Sequence, residues 1–559
     1  METLGPRFGS RFFAGLVVVG IIALVCGLHF WNIGAAPRGF FIDESAIAYN
    51  AECIARTGAD EYGIRWPIFF RSFDTYTDPV AVYSAVLPLW LFGLEPWSAR
   101  VSSGFYWLIL AVASYCLLRQ WRFGRCLALA ASFVLTIIPW VFPVSRNGSF
   151  AGHLAALVGL AAGLLFTDAA LRKRSAWRAV LAGLAWAFAC YAHQSARPVL
   201  ILLLAGSGVV LWRPLVRRWR VLLVVAITSL VCLLPMLISV LRVPEGLTAR
   251  FQQVGLIKSA ASRGDLAISV AQRYFDYFSP AFLFFAGDEN LRHHTGHGGE
   301  LYWGLLPLLL MGGYVVIRDW RQQPRYRIVF VGLLAAPISA ALTVDRMHST
   351  RAIYGVIFWL LLAAVGARAL WRERQAGRLL LLLASVVVAL ESTVYLVDYF
   401  GDYQRRCRGA YETELTEALR YCFGNLRTNE TLSISKSAIS ALALNQNFNP
   451  PAAQLAQLEV TEDFKPYIYA HILFFGRIDP LLYQQTGIPS ARVRLVDGSR
   501  PAPGLLLRSN RLVAFSRERH QYVTARNPEP LPTGATMIDS IPFNEAVRYE
   551  IYRVPAGSR

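Results

Sequence analysis

Two adjacent carboxylates, Asp43 and Glu44, follow the first long apolar stretch of this 559-residue chain. They open the segment "IDESAIAYNAECIARTG", in which Asp43, Ile47 and Asn50 would share one face of a helix. A carboxylate at this place can act as a general base, or it can cap the helix that starts there. Capping is the commoner role, but it does not exclude catalysis. Both interpretations therefore stay open.

Six arginines form a second candidate group, because each lies beside an apolar stretch, where an unpaired charge is costly. They are Arg100, Arg146, Arg197, Arg250, Arg346 and Arg351. A guanidinium binds phosphate through two parallel hydrogen bonds, so a ring of arginines predicts an anionic ligand. The alternatives are snorkelling to the membrane interface and pairing with Asp43, Asp78 or Asp345.

A third group lies in "FSPAFLFFAGDENLRHHTGHGGELYWGLLP", where Asp288, Arg292 and His293 follow an aromatic run. With His294 and His297, the segment raises the question of a metal site, but its spacing matches no structural zinc pattern. Its glycines favour a loop that gates access to a cavity. We expect no obligatory metal or cofactor, although a divalent ion is chemically possible.

Several other chemistries lack their sequence marks. The chain has no Walker loop, no dinucleotide-binding glycine pattern, no H-E-x-x-H and no G-x-S-x-G. Its basic residues come in short clusters between apolar runs, so we expect no nucleic-acid partner. These observations leave acid-base or electrostatic chemistry at a membrane surface.

The composition is that of a polytopic membrane protein. Hydrophobic residues make up 55% of the chain and charged residues 16%, with a net charge of +19 and a mean hydropathy of +0.40. Since a spanning helix needs about 20 apolar residues, we predict eleven spans: 12–32, 101–118, 126–145, 148–167, 179–196, 198–212, 221–241, 301–317, 328–344, 352–367 and 379–397.

The basic clusters set the predicted orientation. If the Pro-broken stretch 80–94 lies flat in the outer interface, the clusters near 119–125, 172–178, 213–220, 318–327 and 368–378 share one side with Arg7 and Arg11. The positive-inside rule makes that side the cytoplasm. The first outer loop 33–100, the long outer loop 242–300 and the C-terminal region are then extracytoplasmic. A cleaved signal peptide ending near "IGAAP" is disfavoured, because the run is long and few basic residues precede it.

The chain changes character after the last span. Residues 401–559 combine a charged helical pattern in "YETELTEALRYC" with alternating apolar residues in "TLSISKS" and "RYEIYRV". We predict a 1–400 membrane domain and a small soluble α/β domain at 401–559. Cys407 and Cys422 could pair there, which would require an oxidising compartment.

The order of these segments resembles the glycosyltransferase C superfold, specifically the family 39 type, which includes protein O-mannosyltransferases and is similar to lipid A aminoarabinose transferases. The resemblance covers most of residues 10–420. It is carried by the Asp-Glu pair and by "TGADEYGIRWPIFF", "LFGLEPWSARVSS", "PVSRNGSF", "FSPAFLFFAGDENLR" and "HSTRAIYG". The loop 242–300 is too short for the β-trefoil of eukaryotic protein O-mannosyltransferases, which favours a bacterial layout.

The resemblance implies inverting transfer of one sugar, hexose or pentose, from a polyprenyl-phosphate donor such as undecaprenyl phosphate. The acceptor would be a lipid, glycan or protein hydroxyl at the outer face of the cytoplasmic membrane. It implies Asp43 as the base, with Glu44 its neighbour in the acidic motif. By position, we assign Arg146, Arg197 and Arg351 to the donor phosphate, and put Arg100 and Arg250 behind them.

Two other functions remain as alternatives. A transporter or flippase for lipid-linked or free sugar would favour charged residues near mid-span; Glu391 is the clear acid within a span, and most polar residues crowd the outer ends. A non-catalytic subunit of an envelope assembly is the other, although Asp43 argues against it.

Overall fold

The computed structural model describes residues 19–20, 22–73, 75–258, 262–441, 465–487, 492–496, 501–516, 521–527, 529–544 and 546–556. Each predicted span contains a helix within these residues; Arg7, Arg11 and the start of the first span lie outside them. The helices are 22–30, Pro96–Gln120, Arg125–Ile137, Ala151–Lys173, Ala176–Ala192, Ala196–Val210, Trp219–Arg242, Leu306–Arg318, Pro324–Ala335, Gly355–Arg372 and Gln375–Phe400.

The apolar helices pack as a membrane-spanning bundle. Within the described residues, five helices are long and apolar enough to cross a membrane, and further apolar helices are shorter. Helix Ala151–Lys173 lies between Pro96–Gln120 and Ala176–Ala192. By contrast, Trp219–Arg242 packs along Ala176–Ala192 and leaves most of its apolar surface exposed, as expected of a helix that faces lipid. The chain is a multi-pass membrane protein.

Two segments, from the loops 33–100 and 242–300, contribute to the wall of a cavity. In the first, an acidic helix (Ile42–Thr57) is followed by a hairpin of β1 (Phe70–Ser72) and β2 (Thr75–Thr77) and by helix Pro79–Phe92. The stretch that we expected to lie in the interface is thus a short helix, and it packs against the acidic helix. The second segment contributes helix Glu245–Val254 to the wall; helix Arg263–Asp276 follows it in the sequence and does not line the cavity.

The C-terminal region (residues 401–559) is α/β in the part that the structure describes. Its helices are Tyr403–Arg406, Thr413–Asn425, Lys436–Ser440, Lys465–Phe475 and Pro480–Thr486, and its strands are β3 (Thr431–Ser435), β4 (Val493–Val496), β5 (Gly504–Ser509), β6 (Arg511–Ser516), β7 (Gln521–Arg526), β8 (Thr536–Pro542) and β9 (Arg548–Val554). The sheet has the order β4-β3-β5-β9-β8, with β6 and β7 as a separate hairpin. Strand β3 runs parallel to β4 and β5, whereas β9 is antiparallel to β5 and β8.

This region has an apolar core of its own, formed by residues such as Leu432, Leu505 and Ile551. Cys422 belongs to that core, but Cys407 belongs to the core of the membrane bundle. Both are buried free thiols. The two cysteines that the sequence suggested as a pair therefore lie in different packing units.

Candidate active site

Three consecutive polar residues in the first turn of the acidic helix serve three different parts of the molecule. Successive helical residues are about 100° apart, so neighbours in sequence face different directions. Asp43 lines the cavity, Glu44 bonds to the membrane bundle, and Ser45 bonds to the C-terminal region. The first turn is thus held on two sides and open on the third.

Asp43 lines a cavity of about 560 Å³ together with Ile47 and Asn50, which confirms the predicted helix face. Among the described residues, none donates a hydrogen bond to the Asp43 carboxylate. A carboxylate that lines a cavity without a protein donor is available to a ligand.

The environment of Asp43 favours its protonated form. Burial raises the pKa of Asp43 above its ordinary value. The guanidiniums of Arg292 and Arg250 oppose that rise, whereas the carboxylates of Glu412 and Glu44 add to it. An Asp43 that holds its proton more tightly than an ordinary aspartate is a stronger base once it is ionised.

Glu44, not Asp43, completes the helix start. The helix begins at Ile42, and the backbone N–H of Phe41 donates to Glu44 Oε2 at 3.0 Å. The Gly148 N–H donates to Glu44 Oε1 at 2.8 Å. A Cβ on Gly148 would lie 3.1 Å from the Ala99 carbonyl oxygen, so glycine allows this close approach. Glu44 is fully buried and does not line the cavity.

Arg100 and Arg146 are also fully buried, and neither lines the cavity. Arg100 donates from Nε and Nη2 to Glu44, and to the carbonyls of Ile33, Pro37 and Gly39. A guanidinium has five N–H donors, so Glu44 and these carbonyls occupy all of them. Our expectation that Arg100 contacts a phosphate is therefore not supported.

Arg146 closes the end of the first helix instead of binding a ligand. It donates to the carbonyls of Leu28, His29, Trp31 and Ala36. Cations stabilise the carbonyl end of a helix, and these bonds again occupy every donor. Arg146, one of the three arginines that we assigned to the phosphate by position, therefore has no donor left for it.

Four other arginines do line the cavity: Arg197, Arg250, Arg292 and Arg351. Arg197 is paired with Asp78 and donates to the Cys190 carbonyl. Arg351 uses only Nη1, which donates to Thr343 at 2.8 Å and Asp345 at 2.6 Å. Its remaining N–H groups have no acceptor among the described residues.

Of the four arginines that line the cavity, Arg250 and Arg292 make the longest hydrogen bonds to the protein. Arg250 donates to Gln253 at 3.4 Å, and the Arg292 Nε donates to Asn290 at the same distance. The Arg292 guanidinium also lies 3.8 Å from the centre of the Phe41 ring, which fixes it beside the start of the acidic helix. With Asp43 and Asp78, the lining carries four guanidiniums against two carboxylates, so it is cationic and suits an anion.

Asp288 is held by hydrogen bonds and does not itself line the cavity, whereas its partner His293 does. Asp288 accepts hydrogen bonds from His293 Nδ1 at 2.8 Å, Asn290 N at 2.8 Å and Ser349 N at 2.7 Å. Burial alone would raise the pKa of Asp288, but His293 and these bonds leave it below its ordinary value. Asp288 and His293 are thus buried and held by protein partners, and a gating role for this loop stays a prediction.

The same cluster holds groups that can ligate a metal. One ligand atom each from Asp288, His293 and His348 lie within 4.8 Å of one another. Glu300 is bonded to the same cluster, since its carboxylate accepts from the Ser349 hydroxyl and from the Asp288 N–H, and burial raises the Glu300 pKa well above its ordinary value. This donor set is compatible with a divalent ion, but Asp288 already has three protein partners.

The sequence did not single out several residues of the site. His193 and His348 line the cavity, although both stood in segments that we had noted for their arginines. Arg292 was assigned to the loop rather than to the anion site. A histidine or arginine in an outer loop carries no local signal for the cavity that it enters, so only the packed structure could place these side chains.

Searched against family sequence profiles and against curated proteins, the sequence matches none. Solved structures do match. ArnT from Cupriavidus metallidurans bound to undecaprenyl phosphate has a TM-score of 0.52 at 14% identity, over 97% of this chain and 98% of ArnT. The archaeal oligosaccharyltransferase AglB from Archaeoglobus fulgidus, with an inhibitory peptide and a dolichol-phosphate, has a TM-score of 0.50 at 13% identity, over 94% of this chain and 75% of AglB.

Both of these proteins have the glycosyltransferase C fold. This chain has the glycosyltransferase C fold. The match to ArnT runs over nearly the whole of both chains, so the fold includes the C-terminal region as well as the bundle. At these identities the likeness establishes the architecture of the glycosyltransferase C fold and not the reaction.

Proposed function

We propose that this chain is a membrane glycosyltransferase that moves one sugar, a hexose or a pentose, from a polyprenyl-phosphate donor to an acceptor hydroxyl. The observation that carries the proposal is Asp43, a carboxylate without a hydrogen-bond donor among the described residues, in a cavity lined by guanidiniums. A base and an anion site in one cavity are the two elements that this transfer requires.

Asp43 takes the proton of the acceptor hydroxyl as that oxygen attacks the anomeric carbon. Bond formation on the face opposite the phosphate inverts the anomeric centre, as in displacement with a carboxylate base. The raised pKa of Asp43 suits this step, because a base works best when its pKa approaches the working pH.

The leaving group is a lipid phosphate, which needs compensation of negative charge more than it needs a proton. Arg250, Arg292 and Arg351 supply it, because they line the cavity and keep N–H groups free of protein acceptors within the described residues. Arg197 is a weaker candidate, since Asp78 already neutralises it. This set replaces Arg146 and Arg100 of the sequence-based assignment.

The ligands of the two fold neighbours agree with this chemistry. ArnT was solved with undecaprenyl phosphate and AglB with a dolichol-phosphate, and both ligands are polyprenyl phosphates. By the charge distribution of the loops, the reaction would occur at the outer face of the inner membrane, with the N-terminus in the cytoplasm. Membrane lipid would surround the bundle and admit the donor.

No observation favours the transporter. Glu391, the acid that the sequence places within a span, accepts from the backbone N–H groups of Trp303 at 2.9 Å and Gly304 at 3.0 Å. It therefore caps the start of a neighbouring helix and is not free to carry an ion or a proton.

The test is mass spectrometry of envelope glycans, lipids and glycoproteins from a strain that lacks this protein. Complementation with the wild type should restore one mass increment of a hexose or a pentose, and Asp43→Asn should not restore it at equal expression. Asp319→Asn, which alters a partly exposed aspartate paired with Arg318 outside the cavity, is the matched control and should behave as wild type. Restoration by Asp43→Asn would overturn the assignment, and sugar uptake into liposomes without a glycosylated product would favour transport.

A further inference from the structure

A chain of hydrogen bonds joins the acidic helix to the C-terminal region. Ser45 Oγ lies 2.8 Å from His471 Nδ1, and His471 Nε2 lies 2.6 Å from Glu412 Oε2. Ser45 and His471 are fully buried. This series of hydrogen bonds starts at Ser45, two residues after Asp43, and ends at Glu412, whose charge acts on Asp43.

The chemistry of the three groups sets the direction of these bonds. An ionised carboxylate only accepts hydrogen bonds, so His471 Nε2 donates to Glu412. His471 Nδ1 is then free to accept a hydrogen bond from the Ser45 hydroxyl. The order serine, histidine, acid is that of a hydrolase triad. Ser45 is buried and does not line the cavity, so no substrate reaches its oxygen. The Ser45–His471–Glu412 series therefore supports the acidic helix and is not a nucleophilic site.

Hydrogen bonds of the residues on either side of Glu412 fix its position. Glu412 has a φ of 51°, in the left-handed region that glutamate rarely adopts. On either side of it, the Phe40 N–H donates to the Tyr411 carbonyl at 2.9 Å, and Thr413 Oγ1 donates to the Arg38 carbonyl at 3.0 Å. The segment that leads into the acidic helix and the segment that carries Glu412 are therefore fixed to each other.

Glu412 also acts on the cavity through its charge. Its carboxylate raises the pKa of Asp43 and interacts favourably with the Arg292 guanidinium. The other charged groups that act on Asp43 are Arg292, Arg250 and Glu44. Of these four groups, Glu412 alone comes from the C-terminal region.

Helix Lys465–Phe475, which carries His471, makes a second contact that reaches the cavity wall through other residues. Tyr469, two residues before His471, donates from its hydroxyl to Glu61 at 3.1 Å. Glu61 in turn bonds to Asn50 through both its side chain and its backbone N–H, and Asn50 lines the cavity two turns after Asp43. Helix Lys465–Phe475 thus holds the acidic helix at two points, directly at Ser45 and through Glu61 at Asn50.

We propose that the C-terminal region supplies positioning residues to the reaction centre, with His471 holding the first turn of the acidic helix through Ser45 and holding Glu412 as a second carboxylate that acts on Asp43. This inference rests on the proposed role of Asp43 as the base. It means that the C-terminal region completes the site.

The test uses the full chain in lipid nanodiscs and needs neither donor nor acceptor. Infrared titration, as the difference between wild type and Asp43→Asn, follows protonation of the Asp43 carboxyl. Glu412→Gln removes a negative charge at nearly constant shape, so the Asp43 midpoint should shift to lower pH. Glu430→Gln, which alters an acid of the same region paired with Arg553, is the matched control and should leave the midpoint unchanged.

Hydrogen exchange tests the mechanical part. Ser45→Ala removes one hydroxyl and keeps helix propensity, and the amides of residues 42–46 should then exchange about tenfold faster. An Asp43 midpoint unchanged in Glu412→Gln, or unchanged exchange in Ser45→Ala, would overturn the inference. Its outcome is separate from that of the proposed function: active Asp43→Asn would refute Asp43 as the base while leaving both measurements in force.

Discussion

Arg100 holds Glu44 through both carboxylate oxygens, with Nε 2.8 Å from Oε1 and Nη2 3.1 Å from Oε2. The pair is completely buried, and each residue is further satisfied by backbone groups. This bond fixes the rotation of the acidic helix about its axis, since Glu44 must face the bundle. Asp43, one residue earlier, is thereby turned to the cavity.

Replacing Asp43 should abolish catalysis without loss of fold. Asp43→Asn keeps the shape and removes the base, so we expect transfer to fall about 10²- to 10⁴-fold, the usual contribution of a general base. Turnover by the purified protein in nanodiscs measures this, with thermal unfolding as the check on folding. A variant that retains more than a tenth of the wild-type rate would contradict the role.

The pH dependence of transfer should report Asp43. The base must be ionised, so kcat/KM should rise with pH through a midpoint above 3.8, the ordinary pKa of aspartate. Arg292 lowers the pKa of Asp43, so Arg292→Gln should move that midpoint to higher pH. If the midpoint does not move in Arg292→Gln, the rise of kcat/KM with pH reports the ionisation of another group.

Breaking the Glu44–Arg100 pair should cost stability. Glu44→Gln leaves Arg100 as an unpaired buried charge, which costs about 3–5 kcal/mol. Thermal unfolding in detergent should show the loss as a lower Tm. Glu417→Gln breaks an exposed ion pair with Arg38 and should cost less than about 1 kcal/mol. Equal losses in the two variants would contradict the structural role of Glu44.

The cavity arginines should bind the lipid phosphate. Arg250→Ala and Arg351→Ala should each weaken binding of undecaprenyl phosphate by roughly tenfold or more, the value of a hydrogen bond to a charged group. Native mass spectrometry or a competition assay measures this. Arg346→Ala, whose exposed side chain pairs with Asp276, should bind as wild type. Equal loss in all three variants would indicate a general surface charge effect.

Glu61 should make stability fall with rising pH. Burial raises the pKa of Glu61 to about 7 from 4.5, so the folded state binds the proton more tightly than the unfolded chain. The stabilisation is complete below pH 4.5 and is lost as pH rises through about 7. In Glu61→Gln the fall of Tm over that range should flatten. An unchanged slope would place the titration elsewhere.

Local patterns predicted the elements well. The apolar runs located a helix in every predicted span, and the spacing of Asp43, Ile47 and Asn50 put them on the face that lines the cavity. The order of the segments predicted the glycosyltransferase C fold. These features succeed because helix periodicity and hydrophobic length are properties of short windows of sequence.

The partners of the charged residues were less predictable. Arg146 and Arg351 have similar local sequence contexts, at the ends of apolar runs, yet Arg146 caps a helix and Arg351 lines the cavity. The sequence alone grouped Arg292 with the loop residues Asp288 and His293, and nothing in its local pattern indicated that it belongs to the anion site. A side chain's partner is set by residues up to several hundred positions away, which a local pattern does not contain.

The sequence by itself determined that the protein spans a membrane many times, that it has the glycosyltransferase C fold and that a carboxylate pair follows the first span. Only the tertiary structure divided that pair, giving Glu44 to Arg100 and Asp43 to the cavity. It also brought His471 and Glu412 from the C-terminal region to the same turn. The physical reason is that burial and long-range hydrogen bonding, not residue type, decide which charge is satisfied within the protein and which is left for a ligand.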